Sequence, residues 1–510
     1  MMDNKTTSSS RIVKNTGLLY IRMFLILVVT LYMSRVVLRV LGVEDYGIYN
    51  VVGGVVTMFT FLNSSLNTAT QRFLNYEMGR GDSEGMKKVF SMSFWCFCLI
   101  ALVLLIVAET LGLWFVNSKL NISPERHSTA IWVYHFSVAA FMINLITVPY
   151  NAAIVAHERM SIYAYISIAE VLLKLLLVWL LSYLNFDKLW LYAVMMLGVT
   201  VIVSLSYIIS CRTRFEECKI TLMWDKTLLS KLFSFSGWML AGTGTHILST
   251  QGVNILINIF FGATLNAARG LAMQVQTAIN SFASNFMMAV RPQIIKSYAQ
   301  EDYNYMYKLT FSSSRLSYYL LLILSMPILL NTFPVMDLWL DEVPEYAVFF
   351  TQLVIIDLLI TTSYSPIAYV CQATGKIGFY QIVISICFTL IFGLSWLLYK
   401  MGLGVEWSFY AAIIVDVFGL FARLYAICKV IEFPARDYIK KVFVPIILIS
   451  VIVFLVSFVA SKLIGNSTLL LLLLNVFTVV VLVSTIVWLI GLNKEEKQLI
   501  SKMINKIIKR

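Results

Sequence analysis

Charge is what this 510-residue chain has least of: 13% of its residues are charged and 59% are hydrophobic, where soluble domains carry roughly 25% charged residues. Mean hydropathy is +0.82. No long polar run interrupts the apolar ones, which leaves no room for a soluble catalytic or ATP-binding domain. The polar start MMDNKTTSSSRIVKN leads into an apolar stretch too long for a signal-peptide core, without a small-residue cleavage site. The cysteines Cys96, Cys98, Cys211, Cys218, Cys371, Cys387 and Cys428 show no metal-ligand spacing and suggest neither a disulfide framework nor a zinc site. His127, His135, His157 and His246 are scattered and read as packing or surface contacts. The composition is that of an all-α integral membrane protein, with no metal, cofactor or nucleic acid expected.

What the chain does have is long apolar runs. Set against a need for about 20 apolar residues per crossing, they give fourteen candidate transmembrane helices, near 15–41, 46–78, 89–116, 127–156, 160–184, 189–210, 233–261, 264–292, 309–332, 346–373, 377–399, 407–429, 442–464 and 468–491. Loops on the side of the N-terminus hold most of the Lys and Arg, whereas the opposite loops hold only Lys119, Arg126, Lys188, Lys400 and Lys462. The positive-inside rule then predicts that both termini are cytoplasmic. The tail after 491 places Ile500, Met503, Ile504, Ile507 and Ile508 on one helical face with lysines opposite, as expected of a helix lying on anionic lipid.

Sliding the sequence on itself by 220 residues brings Gly17 to Gly237, Thr30 to Thr250, Ser64 to Ser284, Asp82 to Asp302 and Lys88 to Lys308. A shift of 217 brings Pro149 to Pro366 and Tyr163 to Tyr380. The expected organisation is therefore a cytoplasmic tail at 1–14, a six-helix lobe at 15–212, and a cytoplasmic linker at 213–232. A parallel six-helix lobe at 233–430, two extra helices at 431–491 and a basic amphipathic tail at 492–510 follow. Paired lobes of this kind suit an alternating-access carrier.

Eight cations fall inside the predicted spans: Arg22, Arg35, Arg39, Arg72, Lys174, Arg269, Arg315 and Arg423. Each costs at least about 2.5–3.5 kcal/mol at the bilayer centre unless it faces a partner, a cavity or an interface. Glu170 with Lys174 and Asp416 with Arg423 can pair along their own helices. Arg39, Arg72 and Arg315 lie near predicted membrane edges, where snorkelling or pairing suffices. Arg22 and Arg35 have no acid at helical spacing in the first span, and Arg269 is placed to contribute from the second lobe. Guanidinium suits phosphate better than ammonium does, so these arginines read as a cationic cavity for an anionic substrate, with Asp357 and Asp416 as candidates for ion coupling.

The segments SRVVLRVLGVEDYGIYNVVGGVVTMFTFLNSSLNTATQRFLNYEMGRGD (34–82) and VPYNAAIVAHERMSIYAYISIAEVLLKL (148–175), with QATGKIGFYQ (372–381) in the second lobe, resemble the polysaccharide (O-antigen and capsule) flippases of the MOP exporter superfamily, which also contains the MATE proteins. The resemblance implies a bacterial inner-membrane carrier that moves undecaprenyl-pyrophosphate-linked oligosaccharide outward for surface polysaccharide, including lipopolysaccharide, synthesis. It also implies a polysaccharide polymerase and a chain-length regulator as partners beside the membrane lipids. Carried over residue by residue, the family's cationic cavity falls on Arg22, Arg35 and Arg269, whereas position 257 carries no Arg.

Two other readings compete. A drug/cation antiporter of the same fold would need an accessible acid in the first two helices, and mid-span they hold none. An O-antigen polymerase or membrane glycosyltransferase would need a large outer loop around Glu44 and Asp45, which instead read as a short solvated loop. ATGKIG (373–378) lacks the earlier glycine and the Ser/Thr of a phosphate-binding loop. Replacing Arg35 by Ala is expected to abolish export at near-normal protein abundance, and Arg35→Lys to retain part of it, as read by surface glycan staining beside an immunoblot.

Overall fold

The computed structural model describes residues 17–501 except 28, 30–31, 34–35, 38, 43–44, 46–47, 50–51, 53–59, 120–122, 182, 185, 222–224, 262, 341–342 and 499–500. Its regular structure is entirely helical among the described residues. The chain forms two compact units, Lys14–Leu240 and Ala241–Arg510. The first holds α1 (Gly17–Leu27), α2 (Thr60–Arg80), α3 (Ser83–Ser118), α4 (Pro124–Ala156), α5 (Met160–Leu181), α6 (Lys188–Arg212) and the start of α7 (Lys226–Phe261). The second holds the rest of α7 with α8 (Ala263–Ala299), α9 (Tyr303–Leu330), α10 (Thr332–Trp339), α11 (Ala347–Thr374) and α12 (Gly378–Lys400). It closes with α13 (Trp407–Val430), α14 (Ala435–Ile464) and α15 (Leu469–Gly491).

Ten of these helices, α3 to α6, α9 and α11 to α15, are long and apolar enough to cross a membrane. The fourteen read from the sequence are not reached among the described residues. The segments at 15–41 and 46–78 lie partly outside them, and in α7 and α8 frequent Thr, Asn, Gln and Ser lower the hydropathy. The amphipathic face expected after residue 499 also lies outside the described residues.

The internal repeat reappears in the backbone. Gly81 (φ 72°) and Glu301 (φ 60°), 220 residues apart, both turn the chain through the left-handed region. The next residue then caps a helix in each case: Asp82 accepts a hydrogen bond from the Gly85 amide at 2.8 Å and Asp302 from the Tyr305 amide at 3.0 Å. Glu158 (φ 59°) and Gly375 (φ 76°), 217 residues apart, make the turns after α4 and α11. Pro149 and Pro366 sit inside those two helices. The two shifts that align the sequence thus align its turns and caps.

Packing differs between the units in detail. In the first, α3 loosens into one π-turn at Ala108–Gly112, where the Tyr134 hydroxyl donates to the Ala108 carbonyl at 2.6 Å. A Cβ on Gly112 would stand 2.1 Å from that hydroxyl, so only glycine leaves space for it. Beyond α4, His157 stacks on Phe215 at 3.9 Å and hydrogen-bonds Glu217, tying the segment after α6 to the α4 terminus. Burial pushes the Glu217 carboxyl up, but the hydrogen bond and charge of His157 outweigh it and hold the group below the ordinary carboxylate range.

In the second unit Phe350 of α11 stacks on Phe409 of α13 at 4.6 Å within a buried apolar cluster. The two extra helices are fastened to this unit at both ends. At one, the Asn475 amide donates to the Ser461 and Gly465 carbonyls, both at 3.0 Å, while its oxygen accepts from Asn331 at 3.1 Å. At the other, Arg315 of α9 donates to the Lys441 carbonyl at 2.7 Å and pairs with Glu496 at 2.5 Å, both partners being buried.

A left-handed position costs a non-glycine residue about 1–2 kcal/mol, less the greater chain entropy that glycine loses on folding. Glu301→Gly is therefore expected to be neutral or to stabilise by up to about 1 kcal/mol. The repeat-related Gly81→Ala is expected to destabilise by about 1 kcal/mol, with thermal unfolding in detergent reading both.

Candidate functional site

The first-unit candidate is built on α1 and α5. Arg22 of α1 lies over the Tyr163 ring, with its guanidinium carbon 4.4 Å from the ring centroid, and donates from Nη2 to the Tyr163 hydroxyl at 3.3 Å. Its Nε is buried without a hydrogen-bond partner. Among the described residues no carboxylate pairs with it. A tyrosine ring holds a guanidinium through its quadrupole without cancelling the charge, so Arg22 is fixed in place and still cationic. Arg35 lies outside the described residues.

One and two helical turns further along the same face of α5 come Ser167 and Glu170, and then Lys174, which pairs with Glu170 at 2.5 Å. The first unit's other in-span acid, Glu109, sits in the α3 π-turn and faces His135 at 3.1 Å. Asp45 is buried rather than solvated, with Arg126 bridging it at 2.8 Å to Asp187 at 2.9 Å. Glu44 lies outside the described residues.

In the second unit Arg269 of α8 is buried. Its Nη1 donates to Asn254 Oδ1 at 3.1 Å and its Nη2 to the Thr250 carbonyl at 3.2 Å, both on α7. The structure thus uses two of its amino groups to hold the α7–α8 pair together.

Asp357 of α11 lies near Asp416 of α13 inside the second unit. Asp416 accepts from the Tyr364 hydroxyl at 2.8 Å and faces Arg423 at 3.7 Å, with the guanidinium lying over the Tyr364 ring at 4.4 Å. Gly419 makes this possible: a Cβ there would stand 2.6 Å from Arg423 Nη1. One oxygen of Asp357 is buried without a partner. The result is a closed cluster of two carboxyls, one cation and one phenol inside the second unit.

Of the three cations read near membrane edges, only Arg39 is exposed. Arg72 is buried against the faces of Phe73, Tyr76 and Phe235, at 4.5, 4.9 and 5.8 Å, and so packs within the unit instead of snorkelling. Arg315 takes the buried pair with Glu496 already described.

One feature escaped the sequence reading. On α8, Gln274, Thr277, Asn280 and Ser284 are exposed and share a face with half-buried Ser281. Uncharged amides and hydroxyls exposed along a span are costly against lipid, so this face needs polar surroundings. Their spacing of three and four residues was the available signal, hidden because 264–292 was read for its apolar content. Gly242 to His246 (GTGTH) lie within the continuous helix α7, with Gly242 allowing close approach of Gln381: a Cβ would stand 2.4 Å from its Oε1.

Removing Asp416 leaves Arg423 without its counter-ion, and breaking a buried pair in this way costs about 3–5 kcal/mol. Asp416→Asn is accordingly expected to lower thermal stability sharply. Asp357 takes part in no ion pair among the described residues, so Asp357→Asn keeps the Asp416–Arg423 pair and is expected to fold at near-normal stability. Fluorescence-detected size exclusion after a heating series distinguishes the two.

No family profile matches the sequence. The chain is 20% identical over 281 residues to the uncharacterized membrane protein EpsK of Bacillus subtilis (strain 168), a match covering 54% of each chain, so it spans about half the length of that curated relative. Among solved structures it is similar to a MATE protein in the straight conformation (TM-score 0.71, 14% identity, 83% of this chain and 96% of that one). An outward-facing multidrug resistance MATE family transporter of the MOP superfamily matches equally well (TM-score 0.71, 14% identity, 84% and 97%). A third is a MOP superfamily transporter from Pyrococcus furiosus, described as having a binding pocket of reverse polarity that suggests a different function (TM-score 0.66, 14% identity, 82% and 96%). The chain has the fold of the MATE transporters of the MOP superfamily.

Proposed function

We propose that the protein is a flippase that carries an anionic, lipid-linked oligosaccharide across the bacterial cytoplasmic membrane, an undecaprenyl-pyrophosphate-linked unit used for surface polysaccharide such as O-antigen. The observation that carries this reading is Arg22, immobilised by Tyr163 and lacking any described carboxylate to neutralise it. Such a cation in a span needs an anion from elsewhere, and pyrophosphate supplies one with geometry matched to a guanidinium. The polar, uncharged face of α8 suits the hydroxyls of a sugar. The polyprenyl tail stays in lipid throughout, so only the head group needs a polar path. A pocket whose polarity is reversed relative to that of its relatives has a precedent in the Pyrococcus furiosus transporter of the same fold.

Export of a cationic drug is the second reading, favoured by the Asp357–Asp416 pair and by the multidrug transporters that share the fold. Against it, both in-span acids of the first unit already have partners, Glu109 with His135 and Glu170 with Lys174.

Deleting the gene and locating the undecaprenyl-linked units with a lectin, on right-side-out and inverted membrane vesicles, tests the proposal. Complete units accumulating on the cytoplasmic face are expected, and Arg22→Gln is expected to reproduce the accumulation with protein present at near-normal amounts. Complete units on the outer face point to a polymerase defect, and unchanged glycan with increased drug sensitivity points to the antiporter. Either of these results overturns the flippase reading.

A further inference from the structure

We propose that Lys174 is a second phosphate station beyond Arg22, and that Glu170 is its exchangeable counter-ion, displaced when a phosphate ester or pyrophosphate arrives. The inference rests on the transport reading above and extends it to a step inside the first unit.

It begins from one face of α5. Tyr163, Ser167, Glu170 and Lys174 stand at intervals of four, three and four residues, so they rise along a single stripe over about 17 Å at 1.5 Å per residue. Tyr163 begins the stripe and holds Arg22. Ser167 is buried and donates to the Tyr163 carbonyl at 2.8 Å. Past Lys174 the stripe turns apolar, with Val178 and Leu181 buried in one cluster with Val37 and Leu41. The polar part is therefore a ladder with a cation near each end, and it stops where apolar packing closes.

The two cations are held differently. Among the described residues Arg22 has no paired acid, whereas Lys174 has one four residues away on its own helix. The Glu170 and Lys174 side chains are each 32% exposed. A purely structural pair inside a membrane protein is expected to be enclosed, as Arg315 with Glu496 is, at 6% and 5%. Charges exposed along a span require polar surroundings rather than hydrocarbon, so the pair opens onto space that a polar ligand can occupy.

Exchange at this pair needs no backbone movement, because both side chains belong to one helix face. A phosphate oxygen takes the place of the Glu170 carboxylate on the Lys174 ammonium, and the ammonium remains compensated throughout. Lysine offers a point charge with rotatable donors and arginine a rigid fork. Arg22 is thus suited to selecting the phosphate and Lys174 to passing it on. Without a ligand, Glu170 keeps the upper cation from standing alone.

The test uses the full chain in nanodiscs, titrated with undecaprenyl phosphate and separately with inorganic pyrophosphate, beside a flipping assay. Removing the internal competitor by Glu170→Gln is expected to tighten undecaprenyl phosphate binding by about tenfold, the scale of one charge-assisted contact, and to slow turnover. Lys174→Gln is expected to weaken binding by a similar factor and Lys174→Arg to preserve it. Should Glu170→Gln not accumulate, the Glu170→Gln/Lys174→Gln double variant must bind more weakly than the unsubstituted protein.

Unchanged or weaker binding by a folded Glu170→Gln variant overturns the proposal and assigns the pair to structure. Tightening for the lipid form alone supports a lipid head group as ligand, and equal tightening for pyrophosphate supports the station with a soluble anion. If the unsubstituted protein binds neither probe, or Arg22→Gln leaves binding intact, the transport reading itself fails. Loss of the Glu170→Gln effect alone, with the Arg22 effect retained, removes only the second station.

Discussion

A charge placed in a span has to be compensated inside the protein, and the architecture of both units follows from how each one is. Arg315 is matched by a buried carboxylate from the segment after the last helix. Arg423 is matched by Asp416 two turns away on its own helix, across a glycine that clears its path. Arg269 is matched by neutral acceptors on the neighbouring helix, and Arg72 by aromatic faces. Each solution ties two segments together or holds one in a fixed shape. Arg22, like Arg269 and Arg72, has neutral partners that orient it and leave the charge in place.

The same accounting separates structural acids from available ones. Glu496, Asp416 and Asp45 are buried and paired with arginine, and removing Glu496 or Asp416 takes away the one carboxylate described as bridged to its arginine, whereas Arg126 keeps Asp187 if Asp45 is lost. Glu170 differs because its partner is a lysine and both are partly exposed. Asp357 differs in another way: its nearest charged group includes a second carboxyl, and one of its oxygens has no donor. The carboxyl pair and the Glu170–Lys174 pair belong to different units.

How much of this was legible in sequence depended on range. The helical class and the duplication were, because hydropathy and the 220- and 217-residue shifts are properties of the chain itself. The caps at Asp82 and Asp302 show why: a residue that caps a helix acts within three positions of itself. The pairs Glu170–Lys174 and Asp416–Arg423 were legible for the same reason, being spaced along single helices. Arg315 with Glu496, 181 residues apart, and the Tyr163 platform under Arg22, 141 residues away, were not, because no local rule joins such partners. Arg72 was read toward the membrane edge when its helix face turns it into aromatic packing. The polar face of α8 was hidden for the opposite reason, because a span is sought by its apolar residues and its polar ones are discounted.

That last difficulty bears on how a carrier of this fold changes its substrate. The fold is shared with multidrug transporters at about one identical residue in seven, so the helices and their packing persist while the lining varies. Changing the sign of what is carried requires few substitutions if they fall where charge is left uncompensated. One arginine on an aromatic platform is enough to make a span favour an anion, provided the acids nearby are already engaged. In this chain they are: Glu109 faces His135 and Glu170 faces Lys174. On the flippase reading, selectivity in the first unit rests as much on these engaged acids as on the cation it displays.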